Sequence, residues 1–326
     1  MIHEHILNTV GKTPVIRLPL EEFPGINLYG KLEFFNPTGS VKDRAAAYVI
    51  EKLLENGEID QDTTMIESSS GNFGIALSAY CKFRGLKFIC VVDPHISPLN
   101  EMLIKKFGAT VVKVEHPDEN GGYLLNRIRK VNQLKKEISN SYWVNQYGNP
   151  YNAEAYYYTL GVELIEDFDH LDYLFLGISS GGTVTGLSRR LKEKFPNIRI
   201  IAVDIIGSVI FGHPPKKRYI PGIGSSMVPE ILKMAKIDDV VMMDEVTTID
   251  MCHELLSRFN IYAGGSSGSA YGAIKKYFTD HPVTQTDKPN EVVTLFPDRG
   301  ERYVYTVYND EWCKNFKENH SEMKKL

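Results

Sequence analysis

Lys42 lies in segment 36–44, Asn-Pro-Thr-Gly-Ser-Val-Lys-Asp-Arg, whose residue types suit a chemically reactive lysine. The first four residues favour a turn, because proline fixes φ and glycine allows positive φ. Ser40 and Asp43 have the spacing of a capping pair that opens a helix. Lys42 then falls in the first helical turn, where the helix dipole disfavours an ammonium by roughly 0.3–1 kcal/mol. A lysine that forms an imine or stays neutral suits this place; the alternative is an ordinary exposed lysine.

Two further loops carry small hydroxyls and glycines where helices are predicted to begin. Segment 68–72 reads Ser-Ser-Ser-Gly-Asn and segment 179–183 reads Ser-Ser-Gly-Gly-Thr. Free backbone N–H groups at a helix N-terminus bind anions. The first loop suits a carboxylate, although a well-capped turn would have the same sequence. The second suits a single phosphate, because it lacks both the P-loop lysine and the three-glycine dinucleotide pattern. A similar loop at 263–269 is less informative by itself.

Strands alternate with helices along the chain, which predicts a mostly parallel α/β sheet. Ligands of such sheets bind at the carboxyl ends of the strands, where these loops lie. The predicted strands are 64–67, 86–92, 110–114, 173–178, 198–203 and 291–296, and the predicted helices 45–50, 75–83, 99–107, 123–138, 184–195 and 270–277.

Length and composition limit the class of protein. The 326 residues favour two domains, and 43% apolar and 24% charged residues are ordinary for a globular protein. A net charge of −4 argues against nucleic-acid binding, the apolar runs are too short to span a membrane, and the N-terminus lacks signal-peptide features. We expect a cytoplasmic protein with buried thiols at Cys81 and Cys90, no metal site, and a solvated tail from about residue 314.

An imine-forming lysine, a phosphate site and a carboxylate site together describe pyridoxal phosphate holding an amino acid. From Gly11 to Tyr303 the chain resembles the fold-type II pyridoxal phosphate enzymes, the group of cysteine synthase, cystathionine β-synthase and tryptophan synthase β. The resemblance implies a homodimer with a tryptophan synthase β-like fold of two α/β domains. Residues 1–38 and 146–326 would form the large cofactor-binding domain, and residues 39–145 a small mobile domain with the carboxylate loop.

The resemblance also implies roles for individual residues. Lys42 would be both the catalytic residue and the imine partner of the cofactor. Ser266 would face the pyridine nitrogen, where a neutral hydroxyl favours β-elimination over transamination. The other implied contacts are Asn72 with the ring oxygen; Ser179, Ser180, Gly181, Gly182 and Thr183 with the cofactor phosphate; and Ser69, Ser70, Gly71, Asn72 and Gln146 with the substrate.

Several segments depart from plain cysteine synthases. Segments 120–128, 207–212 and 297–300 are similar to the siderophore-type synthases, which join O-phosphoserine and glutamate into N-(2-amino-2-carboxyethyl)-L-glutamate, a precursor of 2,3-diaminopropionate. Arg127 could bind a glutamate carboxylate or the leaving phosphate, or be a solvent-facing arginine. Tyr147 could reach the substrate or be a core aromatic, and Ser180 could serve both phosphate and substrate.

The resulting expectation is a pyridoxal phosphate-dependent β-replacement that proceeds through an aminoacrylate. A cysteine synthase that uses O-acetylserine or O-phosphoserine with sulfide is the alternative enzyme. A catalytically inactive regulatory relative is the alternative without chemistry, which the intact Lys42 and both anion loops disfavour. The leaving group, the nucleophile and the downstream product are not determined by the sequence.

Overall fold

The computed structural model describes residues 2–118, 122–283 and 288–320. It contains ten strands and ten α-helices within these ranges, in the alternating order that the sequence predicts. The strands are β1 (Val15–Leu18), β2 (Ile26–Leu32), β3 (Thr64–Ser68), β4 (Lys87–Val92), β5 (Thr110–Lys113), β6 (Ser141–Trp143), β7 (Tyr173–Gly177), β8 (Arg199–Ile205), β9 (Asp239–Met243) and β10 (Asn290–Phe296).

The helices lie on the faces of the sheets and connect successive strands. They are α1 (Lys42–Glu55), α2 (Asn72–Phe83), α3 (Pro98–Lys106), α4 (Leu124–Glu137), α5 (Pro150–Tyr158), α6 (Leu160–Asp167), α7 (Gly182–Lys194), α8 (Glu245–Phe259), α9 (Gly265–Asp280) and α10 (Asp310–Asn319).

The strands form two sheets, and this confirms the predicted fold class. The larger has the order β1-β2-β10-β7-β8-β9, parallel except for the antiparallel edge pair β1-β2. The smaller has the order β5-β4-β3-β6 and is wholly parallel. All four strands of the smaller sheet lie between residues 64 and 143. One apolar cluster includes Ile50 of α1, Phe88 of the smaller sheet and Leu174 of the larger, so both sheets share a core.

Most predicted elements are present, with helices that begin earlier than expected. Helices α1, α2 and α9 start at Lys42, Asn72 and Gly265, inside the loops that the sequence marked for ligands. The expected solvated tail is wrong for residues 314–319, because they belong to α10, whose Phe316 is 5% exposed. Cys81 and Cys90 are buried, as predicted. No helix within the described ranges is long and apolar enough to cross a membrane.

A buried ion cluster anchors the first turn of α1. Arg44 bonds both oxygens of Glu33, at 2.7 Å from Nε and 2.8 Å from Nη2, and both oxygens of Glu163, at 2.6 and 2.8 Å. The side chains of Arg44 and Glu33 are 1% and 0% exposed. Lys31 adds a second cation 3.1 Å from Glu163. The cluster therefore ties α1 to β2 and α6.

We predict that Arg44→Leu destabilises the protein by about 3–5 kcal/mol, because it leaves Glu33 buried without its charge partner. Urea unfolding followed by circular dichroism measures the change. Lys52→Ala on the same helix is the matched control: its ion pair with Glu55 is solvent-exposed, and the free energy of unfolding should hardly change. Equal effects of the two variants would contradict the anchoring role of Arg44.

Candidate active site

One cavity of about 380 Å³ lies between the two sheets and collects nearly all the residues that the sequence singled out. Strands β3, β7 and β10 end at it, and helices α1, α2, α7 and α9 begin beside it. Of the predicted site residues, the cavity is lined by Lys42, Ser69, Ser70, Gly71, Asn72, Arg127, Gln146, Tyr147, Ser179, Ser180, Gly181, Thr183 and Ser266.

Gly182 is the predicted site residue that does not line the cavity. It is buried, and a Cβ added to it would lie 2.6 Å from Oδ1 of Asn152. The close packing of α7 against α5 therefore explains this glycine. Gly181 has φ of +83°, the left-handed region that favours glycine.

Lys42 points into the cavity from the first residue of α1. Its Nζ lies 3.4 Å from Oγ of Ser180 and 5.9 Å from the centre of the Tyr156 ring. Burial lowers the pKa of Lys42 to about 8, although Asp298 nearby opposes the shift. The predicted Ser40–Asp43 capping pair is present in part. Asp43 Oδ2 accepts from Ser40 N at 3.3 Å, but Ser40 Oγ accepts from Lys42 N rather than from Asp43 N, and the helix N-cap is Val41. This amine is thus fixed and easily made neutral.

Two helix N-termini face the cavity from opposite sheets. Helix α2 follows Ser69 and Ser70, and helix α7 follows Ser179 and Ser180. The first N–H groups of a helix have no intrahelical acceptor and carry the positive end of the dipole. The cavity can therefore hold two anionic groups, one at each helix N-terminus.

Arg127 reaches the cavity from α4, which contradicts the solvent-facing alternative. Its Nη1 donates to Ser70 Oγ at 2.8 Å and lies 3.2 Å from Asp93 Oδ2, with the side chain 14% exposed. Its Nε is buried and has no partner. Asn120 and Gly121 of the same sequence segment lie outside the described residues.

Gln146 and Tyr147 close the side of the cavity next to β3. Gln146 donates from Nε2 to Ser68 O at 3.2 Å and from its backbone N to Glu67 Oε2 at 3.1 Å. Burial raises the pKa of the Tyr147 phenol, which therefore stays protonated near neutral pH. Both residues thus lie at the cavity rather than only in the core.

Several polar residues that line the cavity were not predicted from the sequence, among them His95 and Asp298. His95 follows β4 and stacks edge-on against Tyr123 at 5.0 Å. Asp298 follows β10, is 2% exposed, and accepts from Asn72 Nδ2 at 2.7 Å. The rule that ligands bind beyond the carboxyl ends of parallel strands could have found both.

Comparisons with known proteins agree with this geometry. Residues 6–298 match the family model described as "Pyridoxal-phosphate dependent enzyme". The O-acetylserine dependent cystathionine β-synthase of Helicobacter pylori is 32% identical, with a TM-score of 0.86 over 94% of this chain and 98% of that one. O-ureido-L-serine synthase is 30% identical, with a TM-score of 0.85 over 95% and 96%. A hydrogen sulfide-producing enzyme of Fusobacterium nucleatum is 30% identical, with a TM-score of 0.85 over 93% and 100%.

The residues of the cavity fit pyridoxal phosphate. An amine whose pKa is lowered by burial suits imine formation with an aldehyde, and the start of α7 offers a phosphate site next to it. Ser180 connects the two places: its hydroxyl lies 3.4 Å from the Lys42 amine, and the residue directly precedes the N-terminus of α7.

We predict that Lys42 in protein freed of cofactor by hydroxylamine reacts with acetic anhydride with a midpoint near pH 8. The neutral amine is the nucleophile, so labelling should rise as pH increases through the pKa. Peptide mass spectrometry measures it. Lys52 on the same helix is the control, because Glu55 raises the pKa of that lysine. A Lys42 midpoint equal to or above that of Lys52 would refute the assignment.

Proposed function

Because the chain belongs to the pyridoxal-phosphate dependent enzyme family, we propose that it is a β-replacement synthase, a transferase of the EC 2.5.1 type. It joins O-phospho-L-serine to L-glutamate and releases N-(2-amino-2-carboxyethyl)-L-glutamate and phosphate. The product is a precursor of 2,3-diaminopropionate, which places the enzyme in amino-acid and siderophore biosynthesis.

The observation that carries this proposal is the position of Arg127. It presents a guanidinium, 14% exposed, on the cavity wall beside Ser70. Sulfide needs no cation to bind it, whereas glutamate brings two carboxylates that must be paired when they leave water. A phosphate leaving group has the same requirement. A planar donor at this place suits either anion.

The residues of the cavity have distinct roles in the proposed reaction. Pyridoxal phosphate, when bound, supplies the electron sink for removal of the α-proton. Helix α7 begins where Ser179 and Thr183 can hold the cofactor phosphate, and the start of α2 holds the substrate α-carboxylate. The Lys42 amine accepts the α-proton and later returns it, for which a pKa of about 8 is well placed.

The hydroxyl of Ser266 completes the proposed cofactor site. Ser266 lies at the start of α9 and packs next to Gly177 at the end of β7. A Cβ added to Gly177 would lie 3.4 Å from the Cβ of Ser266. A neutral hydroxyl at the pyridine nitrogen keeps the electron sink weak. Elimination at Cβ is then favoured over transamination.

A sulfide-dependent synthase is the second candidate function, and one contact favours it. The charge of Arg127 is already balanced by Asp93 at 3.2 Å, so a nucleophile without carboxylates would leave this pair intact. Binding of glutamate instead requires Arg127 to share or exchange its contacts with Ser70 and Asp93.

The homodimer, the cytoplasmic location and the division of the chain at residues 38/39 and 145/146 stay predictions. In the proposed division, residues 39–145 carry the carboxylate loop and move as a unit when the first substrate binds. Closure of this kind would keep water from the reacting carbon.

The proposed reaction has two halves, the release of phosphate from O-phosphoserine and the consumption of glutamate. We predict that Arg127→Ala slows only one of them. If Arg127 pairs with glutamate, phosphate release from O-phosphoserine persists in the first turnover, while glutamate consumption falls about 10- to 150-fold, the loss of one charge-assisted contact. Stopped-flow absorbance and phosphate assay separate the steps. With sulfide as nucleophile the same variant should keep its rate.

Arg129→Ala is the matched control, because Arg129 is exposed on the same helix and bonds Asn126 at 2.7 Å. If Arg127 instead holds the leaving phosphate, the first half-reaction slows and glutamate consumption is spared. If neither step of Arg127→Ala changes by more than about threefold, Arg127 contributes under 1 kcal/mol and the proposal loses its support.

A further inference from the structure

Asp298 is a buried carboxylate on the cavity wall to which the proposed reaction assigns no task. Its Oδ2 accepts two hydrogen bonds, from Asn72 Nδ2 at 2.7 Å and from the Tyr303 hydroxyl at 2.8 Å. Its Oδ1 is buried and has no partner. Within the described residues, no cation lies at ion-pair distance from it, although Arg302 and Lys42 are close enough to lower its pKa. Burial raises the pKa of Asp298, whereas these positive charges and the two hydrogen bonds to Oδ2 oppose the shift and favour the ionised form.

The backbone holds Asp298 in place before any ligand binds. Pro297 O accepts from Val41 N at 2.8 Å, and Ser40 and Asp298 form an antiparallel bridge. On its other side, Asp298 O accepts from Gly264 N at 3.0 Å. A Cβ added to Gly264 would lie 2.0 Å from Asp298 Oδ1, so the glycine makes room for the carboxylate. Asp298 is thus fixed between the lysine segment and the start of α9.

A carboxylate at this buried position is energetically unfavourable. Burying a charged group with one oxygen unsatisfied is unfavourable, and structures rarely retain such a group without a reason. The amide of an asparagine can adopt two orientations, in which its oxygen and its nitrogen exchange places, and its hydrogen-bond partners determine which one it adopts. An ionised carboxylate only accepts, so Asp298 selects the orientation in which Asn72 presents Nδ2 to it. The hydrogen bond is charge-assisted and therefore strong.

We propose that Asp298 is a positioning residue that turns the second amide hydrogen of Asn72 into the cavity, as a donor for the ring oxygen of the bound cofactor. The inference rests on the proposed placement of Asn72 beside that oxygen. The negative charge of Asp298 polarises the amide and makes it a stronger donor. The pair therefore stabilises the anionic form of the ring oxygen.

Stabilisation of the anionic ring oxygen can be detected by absorbance, without turnover. The bound cofactor absorbs in the visible when the ring oxygen is anionic and in the near ultraviolet when the oxygen is protonated. Loss of the Asp298 charge should shift absorbance from the visible to the near-ultraviolet band. Loss of the donor should also weaken cofactor binding, because the ring oxygen loses a partner.

A double-mutant cycle tests the proposal on the holoenzymes of the wild type, Asp298→Asn, Asn72→Ala and the double variant. Asp298→Asn should lower the visible-to-ultraviolet absorbance ratio and the affinity for pyridoxal phosphate by about tenfold each, the loss of one charge-assisted hydrogen bond. In the Asn72→Ala background, the same change should have no further effect. Additive effects would overturn the proposal, as would an unchanged spectrum of Asp298→Asn.

Tyr303→Phe is the structural control, because it removes the other hydrogen bond of Asp298 and keeps the Asn72 contact. Its absorbance ratio should change less than about threefold; a shift as large as that of Asp298→Asn would reduce Asp298 to a packing role. If Asp298→Asn does not fold, Asp298→Ser takes its place in the cycle. An Asn72→Ala variant with normal spectrum and affinity would refute the placement of Asn72 itself, whatever the proposed reaction.

Discussion

The buried pairing of Arg44 with Glu33 and Glu163 is the constraint on which the site depends. Arg44 and Lys42 belong to the same first turn of α1, so the cluster that fixes the guanidinium also fixes the reactive amine. A buried charge pair stabilises little by itself, yet it is very sensitive to the loss of a partner. It therefore specifies position: the turn can dock in one way only. The fixed turn holds the Lys42 amine in a buried position, and this burial lowers its pKa to about 8.

The rest of the site is built from helix N-termini around that lysine. Helices α2 and α7 come from different sheets, and their positive ends converge on the cavity from two sides. Two such ends favour anionic ligands, while burial lowers the pKa of Lys42 to about 8. Arg127 adds a third positive group, balanced by Asp93.

The sequence predicted well what depends on local pattern. Continuous apolar runs indicated β4 and β7, and the loops at Ser69 and Ser179 indicated the starts of the two helices that face the cavity. The antiparallel edge pair β1-β2 was missed, because the first strand has four residues and is only partly buried. Helix α10 was missed because its polar composition hides Phe316, which packs on Tyr219 at 5.2 Å. Asp298 and Asn72 are in contact although they are 226 positions apart in the sequence. A local sequence pattern cannot predict such a contact.

The most direct test of the proposed function is a competition between nucleophiles. The protein is incubated with O-phosphoserine and equimolar glutamate and sulfide, with Lys42→Ala as the inactive control, and the products are identified by mass spectrometry. We expect N-(2-amino-2-carboxyethyl)-L-glutamate as the main product, with one phosphate released for each molecule formed. Cysteine as the main product, with glutamate left unconsumed, would contradict it.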